Sequence, residues 1–205
     1  MNETTLGPGR LADVTLRSTD NRWTLIFSRN LRHPPAKVWA ALTDPDQLVR
    51  WAPFLANRDL TITGDATLTM VDGDVRQDLP ATVTRSEPPT LLEYTWGTDV
   101  LHWELAAIGL GAQNSAMTRD SAAMAATVRT GTRLTLRHTV AGRDWIAKAA
   151  AGWHLCLMVA ERLLDGHPTN PIRGRDALNH GWADLNQAYA AELGIPATGL
   201  PDTRA

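Results

Sequence analysis

Residues 33–51 read HPPAKVWAALTDPDQLVRW, and no other stretch constrains the fold of this chain as tightly. It follows an apolar, β-rich run from Trp23 to Leu31. Pro34 and Pro35 break that strand and pre-set the first turn of a helix. Val38, Trp39 and Leu42 then fall on one apolar stripe at helical spacing. Thr43-Asp44-Pro45 stops this helix and starts a second, with Asp44 placed to cap and Pro45 at the first helical position. Leu48, Val49 and Trp51 supply the second helix's apolar side. Two short helices at a corner, set between a strand and more strands, are placed to plug the open end of a curved sheet.

The rest of the chain reads mostly as strands. Residues 11–16 and 22–31 are joined by the polar turn Ser18-Thr19-Asp20-Asn21. After the helices, residues 59–62 and 66–71 flank Gly64-Asp65, and residues 79–86 run up to Glu87-Pro88-Pro89. Residues 91–96 and 100–106 form a hairpin across Gly97-Thr98-Asp99, and 132–140 is the last strand. Consecutive strands with short turns imply an antiparallel meander. Period-two alternation puts Leu92, Tyr94 and Trp96 on one face, with Leu101, Trp103 and Leu105, then Leu134, Leu136 and His138. Leu68 and Met70 share a face in the same way. Glu93, His102, Glu104 and Arg137 fall opposite, so the sheet has one apolar face that something must cover.

The cover is residues 143–165, with Asp144 as a plausible cap and Gly166 as a stop. Trp145, Ala149, Gly152, Trp153, Cys156 and Leu157 lie on one broad stripe that continues to Ala160 and Leu164. Ile146, Leu155, Met158 and Val159 extend it so far that the helix must be buried on more than one side. Its second cover is either residues 176–193, where Leu178, Trp182, Leu185, Tyr189 and Leu193 align, or a partner subunit, which leaves a homodimer open.

Four segments together resemble the family of the activator of the heat-shock-protein-90 ATPase, within the helix-grip (START-like, pollen-allergen-like) superfamily. They are 33–51, Glu87–Trp96 (EPPTLLEYTW), Gly131–Thr139 (GTRLTLRHT) and Ala150–His154 (AAGWH). The resemblance implies an α+β helix-grip fold, a curved antiparallel sheet wrapped around a long C-terminal helix. It spans most of a single domain over residues 11–195, with 1–10 and 196–205 expected to be disordered and 173–195 an extra C-terminal helix. One departure is an insertion of about twenty residues at 108–130, rich in Ala, Ser, Thr and Gly, with a weak helical pattern from Met117 to Val128. It reads as a flexible surface loop or as a flap over a cavity mouth, with Met117 and Met124 as adaptable contacts.

Composition narrows the function. At 205 residues with 43% hydrophobic content, one domain with a sizeable core is expected. A formal charge of −2 argues against a nucleic-acid partner, and no apolar run is long enough for a membrane span. Met1–Arg10 lacks an apolar run and Cys156 stands alone, so no leader, no disulfide and a cytoplasmic location are expected. No phosphate-binding loop, nucleophile elbow or metal-ligand spacing is present, and no cofactor is expected. His33 and His167 precede prolines in turns, His102 falls on the wet face, and His154 is expected to bond nearby backbone. There are 8 Trp against 2 Phe and 2 Tyr, which either fill the core or line a roomy interior.

A sheet gripping one long helix often leaves its core open as an elongated apolar cavity. The first function expected is therefore binding of a small hydrophobic molecule, with a lining of Trp51, Phe54, Met70, Tyr94, Trp96, Trp103, His138, Trp153 and Leu157. The resemblance implies two alternatives: a cyclase, dehydratase or hydrolase, for which His138 and Tyr94 would be the acid–base candidates in the same cavity, and a co-chaperone-like interaction module, which fold-level likeness alone supports.

Overall fold

The corner at Asp44 forms as the sequence predicts. α1 (Pro35–Thr43) has Pro35 in its first turn and ends at Asp44. The Asp44 carboxylate accepts the Asp46 N–H at 2.9 Å and caps α2 (Pro45–Leu48). Just beyond α2, the Trp51 indole N–H donates to the Ala41 carbonyl at 2.8 Å, locking one helix onto the other inside the core. Val49, expected on the apolar side, is instead 43% exposed, because α2 ends at Leu48. The computed structural model describes residues 9–110 and 129–199.

This helix pair explains the order of the sheet. β1 (Asp13–Thr19) and β2 (Arg22–Leu31) form one edge, and α1–α2 carry the chain to the opposite edge at β3 (Phe54–Ala56). β4 (Gly64–Asp72), β5 (Val75–Glu87), β6 (Leu91–Trp96), β7 (Asp99–Leu110) and β8 (Arg129–Val140) then return strand by strand until β8 pairs with β2. All neighbours are antiparallel, giving the order β1-β2-β8-β7-β6-β5-β4-β3. Alternation survives into the register: Leu92 faces Trp103, Tyr94 faces Leu101, and Leu136 and His138 face Trp103 and Leu101 from β8. All six are buried.

α3 (Ile146–Leu164) lies across this apolar face, and α4 (Trp182–Leu193) covers its other side. The joint is Tyr189, whose ring sits 6.0 Å from Phe27 and 5.8 Å from His154. Its hydroxyl accepts the Ala12 N–H at 3.0 Å and lies 2.7 Å from His154 Nδ1. A side chain on α4 is thus one partner of His154. The architecture is the α+β helix-grip fold, with the extra C-terminal helix packed on the long one.

Four local expectations need correction. Residues 59–62 are a turn, not a strand: Arg58 donates to the carbonyls of Asp59, Ile62, Gly64 and Asp65 at 2.6–2.9 Å, gathering the backbone around one guanidinium. The start of the long helix is a 3-10 turn, Arg143–Trp145, in which Asp144 makes no capping bond and Trp145 is 45% exposed. The C-terminal helix is broken at Gly181, whose φ of +81° suits a residue without a Cβ. Residues Gly174–His180 form a separate 3-10 stretch with Leu178 exposed. The two ends of the 108–130 insertion are strand, because Ile108, Gly109 and Leu110 pair with Gly131, Thr130 and Arg129. Residues 111–128, including Met117 and Met124, lie outside the described residues, as do 1–8 and 200–205.

The wet face carries a charge ladder rather than solvated groups. His102 places Nδ1 2.9 Å from Glu93 and Nε2 3.0 Å from Glu104, and Arg137 reaches Glu104 at 3.3 Å. Burial by itself would raise both carboxyls. For Glu93, hydrogen bonds from His102 and Thr84 and the charges of His102 and Arg85 outweigh it. For Glu104, Arg137 and His102 do so, and both carboxyls end below their usual value of 4.5. A carboxyl depressed in the folded state contributes stability above its unfolded pKa and loses it as pH falls through the folded one. Urea midpoints of the native chain should therefore drop as pH falls below 4.5. In Glu104→Gln that acid slope should be shallower; an unchanged slope would mean the ladder adds nothing.

Candidate functional site

A cavity of about 250 Å³ opens at one end of the sheet, between the first turns of α3, the β6–β7 turn and residues 172–177. Its construction begins with the hairpin. Trp96 pairs with Asp99 across Gly97-Thr98, where Gly97 takes a φ of +59° that permits so tight a reversal. One step along, Leu101 pairs with His138, so alternation turns the imidazole inward beside Leu25 and Leu101. The ring is 4% exposed.

Two neighbours then fix its protonation. Trp153, projecting from α3, donates its indole N–H to His138 Nδ1 at 3.1 Å. An indole N–H can only donate, so Nδ1 carries no proton. The ring proton is on Nε2, which donates to the Asp99 carboxylate at 3.1 Å. His138 is therefore a neutral imidazole with both nitrogens occupied, and it offers no lone pair to a reacting molecule.

Aromatic rings surround it. Trp96 stacks on His138 with centroids 6.2 Å apart and planes 26° from parallel, and Trp153 meets Trp96 edge-on at 6.2 Å and 62°. Trp145 and Trp182 complete the indole walls, with Ile172 between α3 and α4. Gly152 lies on the α3 wall, and a Cβ built there would meet nothing within 4 Å.

Two cations line the same space. Lys148 is 7% exposed; its Nζ lies 3.5 Å from Asp144 Oδ2 and 4.7 Å from the centroid of the Trp145 ring. Arg173 donates through Nε to the Ala52 carbonyl at 2.8 Å and through Nη2 to Val49 at 2.6 Å, tying residues 172–174 to the end of α2. The Trp96 indole N–H is buried without an acceptor among the described residues.

Of the residues expected to line a cavity, Trp96, His138 and Trp153 border this one. Trp51, Phe54, Tyr94, Trp103 and Leu157 do not; they are buried beside it as packed core. Met70 is half-buried on β4, and it too stands apart from the cavity. The middle of the helix–sheet interface is filled, notably by Trp103, which meets Trp153 at 5.2 Å and 88°. The open space beside Trp153 lies toward the hairpin end. Lys148, Gly152, Trp145 and Trp182 also line it, beyond the residues expected from sequence. The sequence signal for them is a lysine three residues after Trp145 and four before Gly152, inside an otherwise apolar stripe.

Catalytic groups are scarce here. Burial pushes the Tyr94 phenol well above its usual range, and its oxygen accepts the Trp103 N–H at 3.2 Å away from the cavity. Burial also pushes the Cys156 thiol up to about 12, against a small opposing effect of Arg173, so the thiol is a poor nucleophile. Among the described residues, no group of three or more His, Cys, Asp or Glu could hold a metal ion. Among the described residues, no helix is long and apolar enough to cross a membrane.

Comparison with known proteins agrees with this fold. The family model described as "Activator of Hsp90 ATPase homolog 1-like protein" matches residues 32–165. No curated protein matches the chain. Among solved structures, the conserved protein of unknown function EF2215 from Enterococcus faecalis is similar at 15% identity, with a TM-score of 0.59 over 87% of this chain and 89% of that one. CalU16 from Micromonospora echinospora is similar at 16% identity, with a TM-score of 0.55 over 88% and 95%. The BPP1335 protein from Bordetella parapertussis is similar at 19% identity, with a TM-score of 0.56 over 98% and 100%. At these identities the likeness concerns the fold alone.

Proposed function

The chain belongs to the Activator of Hsp90 ATPase homolog 1-like family, and we propose that it binds a small, flat, apolar molecule in the cavity beside His138. One observation carries this reading: the cavity of about 250 Å³ is walled by Trp96, Trp145, Trp153 and Trp182, and its polar groups are few. Apolar walls with a few placed polar groups are what a binding site for a small molecule needs. The size suits one or two fused rings. The His138 arrangement favours binding over turnover, because a general base needs a free lone pair within reach of its substrate. Here the Trp153 N–H takes one nitrogen of His138 and Asp99 the other.

The reading is tested with 2-naphthamide, a neutral bicyclic probe. Calorimetric titration is expected to give saturable binding at one site per chain, with a matching change in Trp emission. A flat titration at millimolar probe would sink the proposal.

A further inference from the structure

We propose that the molecule this cavity takes carries an anionic group, a carboxylate or its equivalent, and that Lys148 is the residue that selects it. The inference rests on the cavity being a binding site at all. Lys148 is the reason for it. Taking an ammonium out of water is costly unless something restores its interactions, and buried lysines are rare for that reason. Lys148 is 7% exposed, yet among the described residues its one ion pair is long, 3.5 Å, and runs to Asp144, whose side chain is 56% exposed and screened by water. The remaining contact is the face of Trp145 at 4.7 Å, a cation–π interaction. Those two contacts leave an ammonium with three donors short of acceptors, on the wall of an open space.

The rest of the lining tilts the same way. Arg173 adds a second positive charge. The one acidic residue on the lining, Asp99, already accepts from His138 Nε2. Donors therefore exceed free acceptors around an aromatic slot, which suits a flat ring system bearing a carboxylate. A cationic ligand would face two like charges, of which the Asp99 carboxylate offsets only one.

The experiment compares three probes that share one ring system: 2-naphthoate, 2-naphthamide and 2-naphthylmethylammonium, titrated calorimetrically into the native chain and into Lys148→Met. A hydrogen bond to a charged partner shifts affinity by about ten- to a hundredfold. The native chain is expected to bind naphthoate tighter than naphthamide by that factor and the ammonium weakest. Lys148→Met keeps an unbranched apolar stem, and it is expected to bring naphthoate down to the naphthamide level with naphthamide unchanged. If naphthamide binds but naphthoate gains nothing, the anion inference is overturned while the cavity reading stands. An anion preference that survives in Lys148→Met would remove Lys148 as its source. Binding of none of the three removes the cavity reading and this inference with it. The comparison of probes on the native chain decides the point even if Lys148→Met folds poorly.

Discussion

Gly152→Leu is expected to lose 2-naphthamide binding about ten- to a hundredfold and yet unfold at a higher temperature than the native chain. The two effects have one cause. Gly152 sits in the interior of α3, where glycine costs about 1 kcal/mol relative to alanine because it gives up more backbone freedom on folding. A Cβ at this position meets nothing within 4 Å and Gly152 lines the cavity, so the added side chain is expected to extend into that space rather than into the core. There it replaces the guest, and its own apolar surface leaves water. For a chain of this size, about 1 kcal/mol corresponds to a rise in Tm of roughly 2–4 °C. Calorimetric titration and a thermal melt on the same sample check both halves. Native-like binding in Gly152→Leu would place the ligand elsewhere, and a lower Tm would mean that the space at Gly152 is not open. Few substitutions separate folding from binding so cleanly, since most changes that abolish a site also damage the core around it.

The parts of this fold that could be read from sequence are those set by local chemistry. Pro35, Asp44 and Pro45 act through their own backbone and side chains, so the helical corner followed from a few residues. Alternation on β6, β7 and β8 placed Tyr94, Trp103 and His138 inward correctly because the period of a strand does not depend on its partners. What failed depended on individual polar bonds, turn geometry and packing depth rather than on periodicity. Arg58 turns residues 59–62 into a loop by binding four carbonyls, which no apolar pattern signals. Trp145 fits the stripe of the long helix by spacing, but the chain there is a 3-10 turn, which rotates it outward to the cavity mouth. The expected lining erred for the same reason. Alternation says that Tyr94 and Trp103 point inward, but only the depth of Trp153 against Trp103 decides which indoles fill space and which border it. Lys148 is the legible clue to the cavity, since a charge within an apolar stripe calls for a partner.

That division between filling and bordering indoles makes a second strong prediction. Trp103→Ala should cost about 3–5 kcal/mol, the range for removing a buried tryptophan from a packed core. Trp103 is 0% exposed, its ring stands edge-to-face on Trp153 at 5.2 Å, and its N–H serves Tyr94 Oη at 3.2 Å. Truncation leaves a void under α3 and strands a buried hydroxyl. Set against a typical total of about 5–15 kcal/mol, the variant should keep only a fraction of its stability, visible as a large drop in the urea midpoint. Trp145→Ala should behave in the opposite way. With the ring 45% exposed, its loss should move the midpoint by no more than about 0.5 kcal/mol, while 2-naphthamide binding weakens because one cavity wall is gone. A mild Trp103→Ala beside a severe Trp145→Ala would reverse the assignment of core and cavity. The space beside His138 could then no longer be treated as separate from what holds the protein together.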